Sequence, residues 1–274
     1  MNESNAPILV IGGTGKTGKR VVQGLHEKEL NVRVGSRSGH PAFDWDDAET
    51  WEAALKGVKA VYLTYFPDLA VPQAPSAIRR FCKIAKSAGT EHIVLLSGRG
   101  EPAAQHCEQI VQDSGMDWTI IRASWFNQNF NEGAFNSMVE AGVMALPIDN
   151  IGEPFIDVND IADVALSALT DPKHRGQLYE VTGPRLLTFA DVADELTQAT
   201  GKKVRFLAIS TETFTEQLTL QQVPKETIGM LLFLFKEVLD GRNATVCDGV
   251  ERALGRPATD FSVYAATLPR KDHT

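Results

Sequence analysis

The sequence predicts an α/β protein with a doubly wound parallel sheet and a small, mostly helical C-terminal region. Two observations support this prediction. Short apolar runs alternate with segments of helical period over the first ~120 residues. Each apolar run is uninterrupted, which is typical of strands covered by helices on both faces. Right-handed crossovers are expected to join such strands.

The predicted elements follow one another in a regular order. Strands are predicted at residues 8–11, 31–35, 60–64, 92–96 and 118–121, and helices at 17–28, 51–56, 76–88 and 104–113. The alternation is looser afterwards, with helices at 158–169, 188–199, 213–220 and 225–239 and strands at 178–182 and 204–209. Thr188 and Asp191 have the spacing of a capping box. We therefore expect a dinucleotide-binding domain at residues 1–150. Residues 151–274 are expected to complete its sheet and to form a smaller substrate-binding part.

Composition excludes several classes of function. The net charge is −8, so general binding to nucleic acid is disfavoured. The three cysteines, Cys82, Cys107 and Cys247, are far apart and predict neither a disulfide framework nor a metal site. The short polar segment 1–7 and the lack of a long apolar run predict a cytoplasmic protein without a membrane span.

A glycine-rich turn directly follows the first strand. It consists of Gly12, Gly13, Thr14, Gly15, Lys16, Thr17 and Gly18. Glycine permits a sharp turn and lets a pyrophosphate approach the backbone, where the N–H groups at a helix start bind the anion. This context predicts a Rossmann-type dinucleotide site. The G-K-T sequence at Gly15 comes too soon after Gly12 for a Walker loop.

The end of the second strand indicates which dinucleotide is bound. Ser36 and Arg37 stand where an NAD-binding protein usually has an acidic residue. A guanidinium at this place favours the 2′-phosphate. The preferred cofactor is therefore predicted to be NADP(H), with NAD(H) as the alternative.

Several further segments carry a family resemblance. They are the glycine-rich turn, Ser36–Arg37–Ser38, Phe43–Asp44–Trp45, the run W-T-I-I-R-A-S-W-F-N-Q-N-F at 118–130, F-I-D-V-N-D-I-A at 155–162 and Y-E-V-T-G-P at 179–184. Together they resemble the NmrA-like family of atypical short-chain dehydrogenases/reductases, and the resemblance covers nearly the whole chain.

The resemblance implies positions for the cofactor and the substrate. Asp44 and Trp45 would lie near the adenine. The ribose and nicotinamide would be lined by Thr64, Tyr65, Phe66, Ser97 and Gly98. The candidate substrate residues are Arg99, Trp125, Phe126, Asn127, Asn129 and Phe233. Core packing is the alternative interpretation of Trp125 and Phe126. For the apolar helix around Phe233, the interpretations are a lid, a subunit interface or a buried core helix.

The sequence departs from the usual catalytic pattern of these enzymes. None of its four tyrosines is followed by a lysine four residues later, and Gln105 stands where many relatives have a lysine. A glutamine is a poorer proton donor than a lysine. No catalytic residue is therefore predicted, although His106 lies next to the expected site. His92 is predicted to be structural, and the acidic Asp46 and Asp47 to be a helix start rather than a metal site.

Two interpretations of function remain. The first is an NAD(P)H-dependent oxidoreductase that acts on a fairly apolar small molecule such as a quinone, an enone, an iminium or an aromatic polyketide, as in secondary metabolism. Hydride transfer to such acceptors depends on positioning and a dry pocket more than on a strong acid. The second is a regulatory protein that senses NADP(H) without turnover and controls a partner protein. A homodimer is left open.

Overall fold

The computed structural model describes residues 6–133 and 135–270, so segments 1–5, 134 and 271–274 lie outside the described residues. The chain divides into two compact units. Unit 1 contains residues 1–123, 158–181 and 248–257, and unit 2 contains 124–157, 182–247 and 258–274. The units thus interleave along the chain.

Unit 1 is built around a six-stranded parallel sheet, which confirms the predicted α/β class. Its strands are β1 (Ile8–Ile11), β2 (Val32–Gly35), β3 (Ala60–Leu63), β4 (His92–Gly98), β5 (Asp117–Ala123) and β7 (Gln177–Val181). Their order in the sheet is β2-β1-β3-β4-β5-β7, and every adjacent pair is parallel. The carboxyl ends of all six strands therefore meet at one edge, where doubly wound folds bind their ligands.

Helices cover the sheet of unit 1. They are α1 (Lys16–Glu27), α2 (Glu49–Leu55), α3 (Ala74–Ser87), α4 (Pro102–Gln112), α6 (Val158–Thr170) and α10 (Gly249–Leu254). α1 packs on α6, and α3 packs on both α2 and α4. Trp51, Phe81 and Cys107 are buried in one core cluster with side chains of the strands. Apolar side chains of α2, α3 and α4 therefore pack against the strands.

Unit 2 consists of short helices and two short strands, and its core is rich in aromatic residues. Its elements are α5 (Asn136–Ala141), β6 (Val143–Leu146), α7 (Phe189–Thr200), β8 (Arg205–Ala208), α8 (Thr211–Leu220), α9 (Lys225–Phe233) and α11 (Phe261–Ala265). β6 and β8 form a two-stranded parallel sheet. A π-helical turn, Leu234–Val238, follows α9. The capping box predicted for Thr188 and Asp191 is present at the start of α7.

Several short elements were absent from the sequence prediction. These are α5, β6, α10 and α11, none longer than six residues. Segments this short contain too few residues to display a period, so packing within each unit decides their conformation.

Candidate functional site

The glycine-rich turn is held by backbone hydrogen bonds at the carboxyl end of β1. The Gly12 N–H donates to the Gly35 carbonyl at 2.9 Å, and the Gly15 N–H donates to the Gly12 carbonyl at 2.8 Å. Gly12 has φ +68°, a left-handed conformation that glycine adopts without strain. The first of these bonds also brings the turn next to the Ser36–Arg37 segment that follows Gly35.

Gly18 allows α1 to approach the turn closely. A Cβ on Gly18 would lie 2.2 Å from the Gly12 carbonyl oxygen and 2.8 Å from the Gly13 Cα, so no other residue fits there. Thr14 and Gly15 are exposed in front of the start of α1. The first N–H groups of a helix have no intrahelical acceptor and bind anions. These residues therefore fit the pyrophosphate of a dinucleotide, whose nicotinamide ring when bound supplies the hydride of a redox reaction.

The predicted adenine and ribose segments lie next to each other. The Thr64 hydroxyl donates to the Ile11 carbonyl at 3.0 Å, and the Trp45 indole N–H donates to the Thr64 carbonyl at 3.1 Å. The rings of Trp45 and Tyr65 are 4.7 Å apart. Burial raises the pKa of the Tyr65 phenol, and the charge of Asp46 raises it further. Segments predicted separately from the sequence thus meet at the ends of β1 and β3.

Asp44 and Phe66 have contrasting surroundings. The Asp44 carbonyl accepts a hydrogen bond from the Trp51 indole at 2.6 Å, and its carboxylate accepts the Asp46 N–H at 3.1 Å. Phe66, in contrast, is 79% exposed. Asp44 is therefore fixed by its own loop, whereas Phe66 offers an apolar surface to solvent.

Arg37 is an exposed side chain on an ordered loop. The Ser36 carbonyl accepts hydrogen bonds from the N–H groups of Gly39 at 3.0 Å and Phe43 at 2.9 Å, which fixes the loop. Within residues 6–133 and 135–270, the Arg37 guanidinium has no hydrogen bond or ion pair. It is therefore available to an incoming anion, as the prediction for a 2′-phosphate requires.

A cluster of polar and charged side chains joins the ends of β4, β5 and β7 to α4. We call it the Arg122 cluster, and its members are Ser97, Arg99, Glu108, Arg122 and Glu180. The Ser97 hydroxyl donates to Glu108 Oε1 at 2.6 Å. Arg122 donates to Glu108 from Nε at 3.0 Å and to Glu180 from Nη1 at 2.8 Å. Arg99 Nε is 3.5 Å from Glu180 Oε2.

The Arg122 cluster engages Ser97 and Arg99, which were predicted to bind cofactor and substrate. Both side chains are buried, and each is already paired with a carboxylate. The hydrogen bonds with Glu108 raise the pKa of Arg122, so the guanidinium stays charged. The roles assigned to Ser97, Gly98 and Arg99 in binding cofactor and substrate stay predictions.

A pair of carboxyl groups, absent from the sequence prediction, lies at the same edge of the sheet. Burial, and then the charge of Asp68, raises the pKa of Glu101 to about 8. Asp68 comes soon after β3, and Glu101 soon after β4. Acidic residues just beyond the ends of adjacent parallel strands were the signal that could have revealed the pair.

The residues considered for proton transfer in the sequence have simpler surroundings. Gln105 and His106 are exposed on α4. His92 is buried, its Nε2 lies 3.0 Å from the Thr119 hydroxyl, and burial lowers its pKa to about 4. A neutral, hydrogen-bonded His92 fits the structural role predicted for it.

The substrate candidates in unit 2 include both packed and unsatisfied side chains. Trp125 stacks on Phe135 with ring centroids 5.9 Å apart, and Phe126 is half-buried. Asn127 is fully buried, and neither polar atom of its amide has a partner among the described residues. The half-buried Asn129 accepts the Phe135 N–H at its carbonyl, at 3.1 Å.

Phe233, at the end of α9, is 41% exposed. Phe235, two residues later, is buried and packs against the Trp125 ring at 5.6 Å. The segment is therefore neither wholly buried nor wholly exposed. Its role as a lid or as a subunit interface stays a prediction.

No group of three or more His, Cys, Asp or Glu side chains could hold a metal ion in residues 6–133 and 135–270. Across the same ranges, no helix has the length and apolarity needed to cross a membrane.

The sequence matches two protein families. The family described as NAD(P)H-binding matches residues 12–172, and the NmrA-like family matches residues 102–264. The first match includes the glycine-rich turn and the carboxyl ends of β2, β3, β4 and β5. The fold and the site therefore define an NAD(P)H-binding protein of the Rossmann class.

Known relatives match the chain over nearly all of its length. The NAD(P)H azoreductase of Xenophilus azovorans is 33% identical and the agroclavine dehydrogenase of Claviceps fusiformis 32% identical, each match covering 94% of this chain and 96% of the relative. The solved structure of an NADPH-dependent quinone oxidoreductase from Escherichia coli has a TM-score of 0.79 at 22% identity and covers 94% of this chain and 98% of its own. This chain belongs to the NmrA-like family, and it is an NAD(P)H-dependent oxidoreductase.

Proposed function

We propose that the protein uses NADPH to reduce a fairly apolar, conjugated acceptor such as a quinone, an enone, an iminium, an azo compound or an aromatic polyketide. The observation that carries this proposal is the surroundings of the tyrosines, because classical carbonyl reduction relies on a tyrosine paired with a lysine. Tyr62 is buried in β3. The Tyr179 hydroxyl is 2.7 Å from His174 Nδ1, and the Tyr264 hydroxyl donates to Asn131 at 2.8 Å. Tyr65 packs against Trp45 and has a leucine, not a lysine, four residues later.

Acceptors that need little acid assistance fit such a site. A conjugated acceptor delocalises the electrons that arrive with a hydride, so positioning and exclusion of water contribute more than a strong proton donor. An azoreductase and a dehydrogenase among the relatives support redox chemistry of this general kind.

The aromatic residues of unit 2 support an apolar substrate. Trp125 and Phe126 are only half-buried, although Trp125 packs against a core rich in phenylalanine side chains. Large aromatic surfaces that stay partly exposed are typical of pockets for apolar ligands. The fully buried Asn127 would supply an amide for orienting one polar atom of the substrate.

The proposed preference for NADPH depends on Arg37. A guanidinium binds a phosphate through charge-assisted hydrogen bonds, which the ribose hydroxyl of NADH cannot replace. The exposed position of Arg37 on its fixed loop supports this part of the proposal.

The test is oxidation of NADPH by the purified protein with a panel of acceptors. The panel contains a naphthoquinone, an enone, a cyclic iminium, an azo dye and, as a poorly conjugated control, a simple aliphatic ketone. We expect turnover with at least one conjugated acceptor and none with the ketone. Preferential reduction of the ketone would overturn the proposed substrate class.

Calorimetric titration of the same preparation with NADPH distinguishes the enzyme from the alternative, a regulatory protein that binds NADP(H) without turnover. Tight binding without turnover on any acceptor would favour the regulatory protein that senses NADP(H). No binding at all would overturn both.

A further inference from the structure

We propose that β8 is the interface of a homodimer, in which it pairs with β8 of a second copy in antiparallel orientation about a two-fold axis at Leu207. Within the described ranges, the sheet of unit 2 consists of β6 and β8 and has no third strand. A strand with one neighbour presents a row of N–H and C=O groups that can pair with another chain. This inference does not depend on the function proposed above.

The backbone groups of β8 point alternately toward β6 and away from it. The Arg205 N–H donates to the Gly142 carbonyl at 3.0 Å, and the Ile209 N–H donates to the Leu146 carbonyl at 3.1 Å, so these groups point toward β6. A parallel ladder engages every second residue of a strand. The N–H and C=O groups of the residues at even positions of β8 therefore point to the opposite, outer edge.

The outer edge is closed just before β8 and open along it. The Val204 N–H donates to the Thr197 hydroxyl at 2.9 Å, and this hydroxyl donates to the Val204 carbonyl at 3.1 Å. The backbone N–H and C=O groups of Phe206 and Ala208 have no hydrogen-bond partner in residues 6–133 and 135–270. Ala208 is exposed and Phe206 is half-buried. The edge therefore offers two donors and two acceptors to another chain.

The open groups select one register for a second copy. In a hydrogen-bonded pair of an antiparallel ladder, the two opposite residues exchange both of their backbone bonds. Phe206 opposite Ala208 of the second copy, repeated by the two-fold axis, engages every open group. A shift toward Val204 meets groups that the Thr197 hydroxyl already occupies. A shift toward Ser210 meets a carbonyl that already accepts a hydrogen bond within α8.

The selected register places Leu207 opposite itself. Its side chain is 53% exposed, whereas that of the preceding Phe206 packs against the aromatic core of unit 2. Opposite residues of a non-hydrogen-bonded pair have Cα atoms about 4.5 Å apart and side chains on the same face. Each Leu207 would thus cover the apolar surface of the other. An exposed leucine on an open strand edge is otherwise an aggregation hazard, which this pairing removes.

The charges on either side of β8 match an antiparallel partner. Lys203 and Arg205 are exposed at its start, and Glu212 is exposed in the first turn of α8, just after its end. Antiparallel pairing brings the basic end of each copy toward the acidic end of the other, whereas parallel pairing would bring like charges together. A two-fold interface of this kind uses the same surface on both copies, so assembly stops at the dimer.

The first test is sedimentation equilibrium of the wild type over a series of protein concentrations. Two short strands bury less surface than a standard protein interface, so we expect a reversible dimer with a dissociation constant in the micromolar range. A wild type that stays monomeric up to near-millimolar concentration would overturn the inference. So would assembly into species larger than a dimer, because the two-fold pairing leaves no further open edge on β8.

Charge variants of Leu207 test whether this residue faces itself. Leu207→Glu places two carboxylates opposite each other and should weaken the dimer at least roughly tenfold. Leu207→Lys should do the same, and an equal mixture of the two variants should dimerise again. Val263→Glu, at a residue of α11 that is 57% exposed, is the matched control and should dimerise as the wild type does. A mixture that stays monomeric, or an equal loss in Val263→Glu, would overturn the pairing.

Two further variants test the backbone pairing and its register. Ala208→Pro removes an N–H of the outer edge, where proline is tolerated, so the dimer should be lost while circular dichroism and NADPH binding stay unchanged. Leu207→Cys should cross-link two copies on mild oxidation, because a Cα separation of about 4.5 Å lies within disulfide range. Val263→Cys and the wild type should not cross-link. A dimer that persists in Ala208→Pro, or a Leu207→Cys protein that does not cross-link, would place the interface elsewhere and overturn the inference.

Discussion

Arg122 and Glu108 form a two-pronged ion pair that joins β5 to α4. Nε of Arg122 lies 3.0 Å from Oε1 of Glu108, and Nη2 lies 2.5 Å from Oε2. Glu108 is buried, so its carboxylate depends on this planar guanidinium for neutralisation. Removing one partner of this ion pair would leave the other charge buried and uncompensated, which is strongly destabilising.

The first prediction is that Arg122→Met destabilises the protein strongly. The substitution leaves the Glu108 carboxylate buried and without a counter-ion, which should lower the free energy of unfolding by about 3–5 kcal/mol. Urea denaturation measures the loss. The matched control is Arg175→Met, which breaks an exposed ion pair with Asp117 of 2.9 Å and should cost about 0–1 kcal/mol. Equal losses in the two variants would contradict the prediction.

The sheet and the glycine turn could be predicted because their signals are local. Most strands of unit 1 contain a run of apolar residues, and the turn from Gly12 to Gly18 lies within seven consecutive residues of the sequence. The Arg122 cluster and the Asp68–Glu101 pair were missed because they join residues from different strands and helices. Only the strand order brings these residues together, and a single sequence does not specify that order residue by residue.

The second prediction concerns the choice of cofactor. Arg37→Ala should weaken NADPH binding by roughly ten- to hundred-fold, because one charge-assisted contact with the 2′-phosphate contributes on the order of 1.5–3 kcal/mol. NADH, which lacks this phosphate, should bind as before. Isothermal titration with both cofactors gives the ratio of the two affinities. Arg79→Ala, which removes an exposed guanidinium from α3, is the control. A wild type that already prefers NADH would refute the role of Arg37.

The third prediction distinguishes two glycines of the same turn. A Cβ on Gly15 would lie 3.2 Å from the Gly12 carbonyl oxygen, whereas on Gly18 it would lie 2.2 Å away. Gly15→Val should therefore keep the fold and lose the cofactor, because its side chain occupies the approach of the pyrophosphate. Gly18→Ala should lose both. Circular dichroism and NADPH titration are sufficient measurements, and normal binding by Gly15→Val would place the phosphates elsewhere.

The fourth prediction is a loss of stability at acid pH that depends on His92. Its pKa of about 4 in the folded protein is below the value of about 6.5 expected when unfolded, so the unfolded chain binds the extra proton between these values. The contribution of His92 to the free energy of unfolding is fully present above about pH 6.5. It decreases by on the order of 3 kcal/mol as the pH falls to about 4. Denaturation of wild type and His92→Asn over this range isolates the effect as a difference in slope. His26→Asn, at an exposed site on α1, should retain the wild-type slope.

The last prediction separates binding from packing at the end of α9. Phe233 is 41% exposed, so Phe233→Glu should change the free energy of unfolding by less than about 0.5 kcal/mol. Phe235 is buried among aromatic rings, so Phe235→Ala should cost about 3–5 kcal/mol. If Phe233 contacts substrate, Phe233→Glu should raise KM for the acceptor and leave NADPH binding unchanged. Leu220→Glu, at a residue of unit 2 that is 83% exposed, is the control for added charge. Light scattering on the same samples tests the alternative, in which Phe233 belongs to a subunit interface. That alternative would hold if the wild type is a dimer, Phe233→Glu is a monomer, and KM for the acceptor is the same in both.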